Sequence, residues 1–279
     1  MAYLLASSVQ EALSCLSQSR HTILAGGTDL YPAAGERTIK GPVLDVSRLE
    51  ELKGVSLEDG EFRIGGLTTW SEIVAADLPP QFAALKMAAR EVGSVQIQNV
   101  ATIAGNLCNA SPAADGVPPL LALNAEVELM SQGGVRRLAL ADFIYGNRRT
   151  ALAPDELVSA IYIADDLKSC VSHFAKLGAR RYLVISTIMV AVVVELDADG
   201  LIAQARICVG ACSEVAQRLS TLEQALVGAD LNEVASRLQP EHFENLSPIT
   251  DVRATAQYRQ ATAIEMVRRA LNACGEKLQ

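Results

Sequence analysis

The sequence predicts an α+β fold with two or three subdomains, and three observations carry that prediction. Strand-like and helix-like stretches mix without the regular alternation of a doubly wound sheet. Two glycine turns, Leu24-Ala25-Gly26-Gly27-Thr28-Asp29-Leu30-Tyr31 and Ala101-Thr102-Ile103-Ala104-Gly105-Asn106, stand outside any G-x-G-x-x-G frame. The stretch from His173 to Val209 reads as antiparallel strands joined by tight turns, and helices follow it. A chain of 279 residues suits two domains at roughly 100–200 residues each.

In chain order, Ser8-Val9-Gln10-Glu11 is a capping-box pattern, and Val9, Leu13 and Leu16 then recur at helical spacing. A strand at Thr22–Ala25 leads into the first glycine turn and Pro42–Val46 reads as the next strand, making strand–helix–strand. Asp59-Gly60 between Val55–Leu57 and Phe62–Ile64 predicts a hairpin. Thr69-Trp70-Ser71-Glu72 offers a second capping box, Pro79-Pro80 breaks the chain, and Gln81–Val92 reads as an Ala-rich helix ending at Gly93. Pro112–Asp115 prefaces an apolar helix through Leu123. Strands follow at Glu126–Met130, Val135–Leu140 and Leu157–Ile163. A composition shift at Asp165-Asp166-Leu167-Lys168 sets the expected boundary between domains 1–166 and 167–279, the first with subdomains of about 1–53 and 54–166. Beyond it come His173–Leu177, Val184–Leu196, a turn at Asp199-Gly200 and Leu201–Val209. Helices at Val215–Val227 and Thr255–Cys274 close on Gly228 and Gly275.

Composition narrows the partners. A net charge of −8 argues against nucleic acid, and the arginines come in pairs (Arg136-Arg137, Arg148-Arg149, Arg180-Arg181, Arg268-Arg269) that read as solvated or ion-pairing faces. Six scattered cysteines and no basic-plus-apolar leader read as reduced thiols of a cytoplasmic protein. No cysteine set matches an iron–sulfur cluster, and three histidines leave no metal site to expect. The apolar run Tyr182–Leu196 is too short to span a bilayer and reads as a long buried strand.

The first glycine turn carries chemistry or a corner. Gly26 and Gly27 lack Cβ, so the backbone turns sharply, and their amides ahead of a helix start suit an anion. On these residues alone a ligand-free strand–turn–helix corner remains open. For Asp115, a cap on the helix from Gly116 to Leu123 is the plain alternative.

Both turns, with further segments, resemble the FAD-binding subunit of the molybdenum hydroxylases, the xanthine dehydrogenase and carbon monoxide dehydrogenase type. The resemblance rests on Ala25–Leu30, Gln98–Asp115, Asp142–Thr150, Pro154–Val158, Lys176–Arg181, Asp251–Ala254 and Tyr258-Arg259, in the family's order. It implies a two-part FAD-binding domain of the vanillyl-alcohol oxidase-like flavin fold, followed by a C-terminal antiparallel sheet plus helices. It also implies FAD, with Leu24, Ala25, Gly26, Gly27, Thr28, Asp29, Leu30 and Tyr31 wrapping the pyrophosphate. Ala101, Thr102, Ile103, Ala104, Gly105 and Asn106 would close from the other side, Asp115 would stand by the adenosine end, and Val158 and Lys176 by the flavin end. A lone buried carboxylate at Asp115 would then need hydroxyl donors such as a ribose supplies. A side chain at Gly27 is expected to enter the phosphate path.

By the same resemblance the chain is an electron-transfer subunit with no catalytic acid, base or nucleophile of its own. Molybdopterin belongs to a large partner subunit and 2Fe–2S clusters to a small one, and electrons leave to NAD+, dioxygen or another acceptor. Neither nucleic acid nor membrane is an expected partner. Ala104 departs from the family's glycine, and Tyr182-Leu183-Val184 stand where nicotinamide-using eukaryotic relatives carry acids, which leaves the acceptor open. A stand-alone flavin oxidase or dehydrogenase of the same fold and a non-catalytic assembly protein are the alternatives.

Overall fold

The computed structural model describes residues 3–167 and 170–277. Met1 and Ala2, used in the leader reading, and Lys168, part of the predicted boundary, lie outside the described residues.

The chain opens with β1 (Tyr3–Leu5), α1 (Val9–Gln18), β2 (Thr22–Leu24), α2 (Leu30–Ala34) and β3 (Val43–Asp45). The three strands form a parallel sheet in the order β1-β3-β2. Strand β1 goes beyond the strand–helix–strand expectation. Its three residues are too few to show a period, and only pairing with β3 identifies them. Ser8 caps α1 by accepting from Glu11 N–H, but the Glu11 carboxylate reaches back to Ser7 rather than Ser8.

A larger unit follows: β4 (Val55–Glu58), β5 (Glu61–Gly65), α3 (Trp70–Ala75), α4 (Ala83–Glu91), α5 (Val95–Gln98), α6 (Ile103–Asn109), α7 (Val117–Ala122), β6 (Glu126–Ser131), β7 (Gly134–Ala139), α8 (Leu140–Phe143), β8 (Ile144–Gly146), β9 (Arg149–Thr150) and β10 (Leu157–Ala164). Its antiparallel sheet runs β4-β5-β10-β6-β7. The β4–β5 turn has Asp59 at φ 50° and Gly60 at φ 82°, the paired left-handed residues that a two-residue hairpin needs. Thr69 forms the complete capping box with Glu72 that its spacing predicts. A bulge between Val158 and Ala160 interrupts the β10–β6 register.

The remainder is β11 (Cys170–Leu177), β12 (Ile188–Leu196), β13 (Ile202–Gly210), β14 (Gln217–Arg218), α9 (Ser220–Leu226), α10 (Val234–Arg237) and the long α11 (Ala256–Gly275), capped by Thr255. Strands β11 to β14 form an antiparallel meander in chain order. Two expectations need correction here. The helix predicted over Val215–Val227 starts only at Ser220, because Gln217 and Arg218 pair with β13 instead. The strand predicted from Val184 starts at Ile188, leaving 178–187 as a loop.

The apolarity of β12 has a geometric cause. Met189, Ala191 and Val193 pack on one face with Phe62, Trp70 and Phe82, while Ile188, Val190, Val192 and Val194 pack on the other with Val267 and Leu271 of α11. A strand covered on both faces loses alternation and reads as a continuous apolar run. One core therefore reaches from the second unit into the meander. Among the described residues no helix is long and apolar enough to cross a membrane.

Candidate functional site

The two glycine turns face each other across a cleft of about 890 Å³, in the range that cofactor pockets occupy. Residues Leu24 to Leu30 form one wall. Ala101, Thr102 and Ala104 to Asn106 form the opposite one, with Ser111, Ala113 to Asp115, Leu157, Val158 and Leu183 to Ile185 completing the rim and floor.

The turns are locked to each other by close backbone contact. A Cβ on Gly26 would lie 1.9 Å from the Val100 carbonyl oxygen, so only glycine lets the first turn seat against the approach to the second. Gly27 has φ +68°, and a Cβ there would meet the Tyr31 ring and Leu24 Cδ1 rather than open space. That corrects the expectation that a side chain at Gly27 would enter a ligand path: it would strain the turn itself. Asp29 Oδ1 accepts from the Asn109 side-chain amide at 3.0 Å, tying the first turn to the far end of α6.

The two walls differ in chemistry. Among the described residues no acceptor takes the N–H groups of Gly26, Gly27 or Thr28, so the first turn presents free donors. On the second, Ile103 N–H donates to Thr68 O, Ala104 N–H to Gly66 O, Gly105 N–H to Thr102 Oγ1 and Asn106 N–H to Thr102 O. Thr102 is the N-cap of α6, and Ala104 sits inside that helix, where a Cβ is harmless. This wall offers shape and two side-chain atoms instead. The buried Asn106 Oδ1 and Trp70 Nε1 have no hydrogen-bond partner, and both residues line the cleft. Unpaired buried polar atoms are costly, and a ligand with matching groups relieves them.

Three sequence-predicted residues lie off the wall. Ile103 is buried in the core, Tyr31 is exposed on the outside of its turn, and Lys176 stands behind Asp115. Val158 is on the wall, where the adjoining bulge in β10 leaves it. Asp115 is not the lone carboxylate that the sequence suggested. Lys176 Nζ donates to its Oδ2 at 2.6 Å and Ser186 Oγ to its Oδ1 at 2.6 Å. Neither does it cap α7, whose N-cap is Gly116 with no side-chain bond. Burial pushes the Asp115 carboxyl upward, and the Lys176 ammonium and Ser186 hydroxyl oppose that push. The trio joins the two halves of the chain beside the cleft.

Sequence reasoning missed Trp70 and Arg148. Trp70 reads as the first residue of a capped helix, and Arg148 as one of four arginine pairs. Arg149 fits that reading through its ion pair with Glu214, whereas Arg148 lines the cleft. Cys108 also lines it, with burial pushing its thiol up to about 12, so it stays protonated. The wall is shaped by backbone and apolar side chains, and the one thiol on its described part stays protonated.

Residues 1–164 match the family model described as FAD binding domain in molybdopterin dehydrogenase, and residues 173–274 match CO dehydrogenase flavoprotein C-terminal domain. The nicotinate dehydrogenase FAD-subunit of Eubacterium barkeri is 36% identical over 80% of this chain and 78% of its own length. The xanthine dehydrogenase FAD-binding subunit of Escherichia coli is 30% identical over 98% and 97%. A chain of the reconstituted CO dehydrogenase from Oligotropha carboxidovorans superposes with a TM-score of 0.89 at 27% identity, covering 98% of this chain and 97% of that one. With a cleft that fits an anionic, ring-bearing cofactor and family matches over both halves, the chain belongs to the FAD-binding medium subunits of the molybdenum hydroxylase family, oxidoreductases of the xanthine dehydrogenase and CO dehydrogenase type.

Proposed function

We propose that this chain is the electron-exit subunit of its complex, receiving electrons from 2Fe–2S clusters on a small partner and passing them to NAD+, dioxygen or another acceptor. Molybdopterin would sit on a large partner subunit, and the assembly would work in the cytoplasm. The observation that carries the reading is the asymmetry of the cleft. Free amides of Gly26, Gly27 and Thr28 suit a diphosphate, and the facing wall is apolar with the Asn106 oxygen and Trp70 N–H unpaired. FAD, when bound, supplies the exchange between one-electron and two-electron carriers.

The residues of the chain hold and shield. Leu24 to Leu30 would cradle the diphosphate, with Thr28 adding a hydroxyl. Ala101, Thr102, Ala104, Gly105 and Asn106 would cover the opposite side, and Val158 with Leu183 to Ile185 would exclude water from the ring end. Lys176 would act through Asp115, fixing the carboxylate at the cleft edge. Residues 1–166 and 167–279 would form the two domains, with the cleft at their seam.

The test is to purify the chain alone and with its partner subunits, record visible spectra and assay oxidation of purines and aldehydes. A yellow chain that turns over substrate only in the complex is the expected result. A colourless protein that FAD cannot reconstitute would overturn the cofactor-site reading. Robust turnover by the isolated chain would overturn the subunit role in favour of a self-sufficient flavin oxidase.

A further inference from the structure

We propose that Arg148 is the positioning cation of the cleft, its guanidinium supplying the counter-charge to the diphosphate of bound FAD. The inference rests on the reading of the cleft as the FAD site. The charged side chains on the described wall are Asp29, Asp115 and Arg148, with His21 at the edge. Asp115 is answered by Lys176, and Asp29 takes only a neutral amide from Asn109. A doubly anionic diphosphate therefore enters beside an unanswered carboxylate, in a chain already at −8. Backbone amides at the first turn donate hydrogen bonds but bring no net charge. Arg148 is the one lysine or arginine on the described wall.

Its side chain is available for that task. Among the described residues it makes no ion pair and no hydrogen bond, whereas Arg149 next to it pairs with Glu214 at 3.2 Å and lies 5.5 Å from the Tyr145 ring centroid. A planar guanidinium matches two phosphate oxygens at once.

The backbone shows that its place is enforced. Arg148 has φ +56°, a conformation unusual for a long side chain and retained only where the surroundings impose it. Arg148 N–H donates to Ala110 O at 3.0 Å, and Asn147 N–H to Glu214 Oε1 at 3.2 Å. Ala110, itself at φ +45°, directly follows Asn109, whose amide holds Asp29 of the first turn. One two-residue stretch thus latches both the amide-bearing turn and the arginine, fixing the cation relative to the free donors.

The test uses the full chain stripped of FAD and titrated with FAD by flavin fluorescence at low ionic strength. Loss of one exposed charge-assisted contact is expected to raise Kd about five- to tenfold in Arg148→Gln. Arg148→Lys should keep most of the affinity, and the deficit should shrink at high salt, which screens an exposed charge. Thermal unfolding of the apo forms checks that both variants fold as the parent does. An Arg148→Gln Kd within about twofold of the parent overturns the inference, as does a loss that salt leaves unchanged and lysine fails to rescue. Ala113→Trp, which fills the cleft, separates the two readings. If it binds FAD normally, the cleft itself is misassigned; if it fails while Arg148→Gln binds normally, only the role of Arg148 falls.

Discussion

Lys176 and Asp115 are both nearly sealed from solvent, with side-chain exposures of 6% and 10%. Removing either partner strands the other charge. Lys176→Met is expected to cost about 3–5 kcal/mol, the range for breaking a buried pair, measured by urea unfolding of the apo chain. Replacing both with apolar residues should recover much of that loss. What a side chain would meet likewise decides the glycine positions. Gly26→Ala drives a methyl into the Val100 carbonyl, which is backbone and cannot swing aside. It is expected to lower both Tm and FAD content, read by thermal melts and by flavin absorbance per chain. A Gly26→Ala protein with parental Tm and flavin would show that the turns need not touch.

At the scale of elements, one helix terminus organises the C-terminal half. The Arg259 guanidinium, on the first turns of α11, donates to Thr187 O at 2.6 Å, Ala211 O at 2.9 Å and Asp251 Oδ1 at 2.7 Å. It thereby ties the entry of β12, the exit of β13 and the loop before α11. Burial would raise the Asp251 carboxyl, but the Arg253 and Ala254 N–H groups and the two guanidiniums win and hold it well below the usual range. A depressed folded-state value contributes stability above the ordinary carboxylate range near ~4, and that contribution disappears as pH falls through the folded value. Asp251→Asn should therefore cost about 1 kcal/mol at neutral pH, discounted for partial exposure, and the gap to the parent should narrow toward acid. Chemical denaturation at several pH values checks both arms. Much of this level was legible in sequence. The Thr69–Glu72 capping box, the Asp59-Gly60 hairpin and the long C-terminal helix follow from local rules. What local rules could not reach were β1 and β14, which exist through pairing across the chain, and the partner of Asp115, which lies far along it at Lys176. The first turn was legible as a turn, whereas the second stretch is the capped start of α6, and its amides are taken up by Gly66 and Thr68, from a different segment, and by its own cap.

For the whole molecule, the continuous core from Phe62 and Trp70 to Met189, Val193 and Cys208 predicts that the two halves unfold together. Calorimetry of the apo chain should show one transition. Saturating FAD should raise its midpoint by about 5 °C or more, since ligand at 100 times Kd adds about 2.7 kcal/mol. Two separate transitions, only one of them moved by FAD, would show that the shared core does not make the fold one unit. The layout of the cleft also has a consequence in time. Its wall begins at His21 and ends at Ile185, and the floor beneath it is backed by β12 and β13. A ribosome that has released the first turn, and even the whole stretch through Ala164, has not yet delivered the loop and strands that finish the pocket. With the cleft as the proposed FAD site, capture of the cofactor would wait for the 183–185 loop, and a chain ending at Ala164 is expected to hold FAD less tightly than the full one.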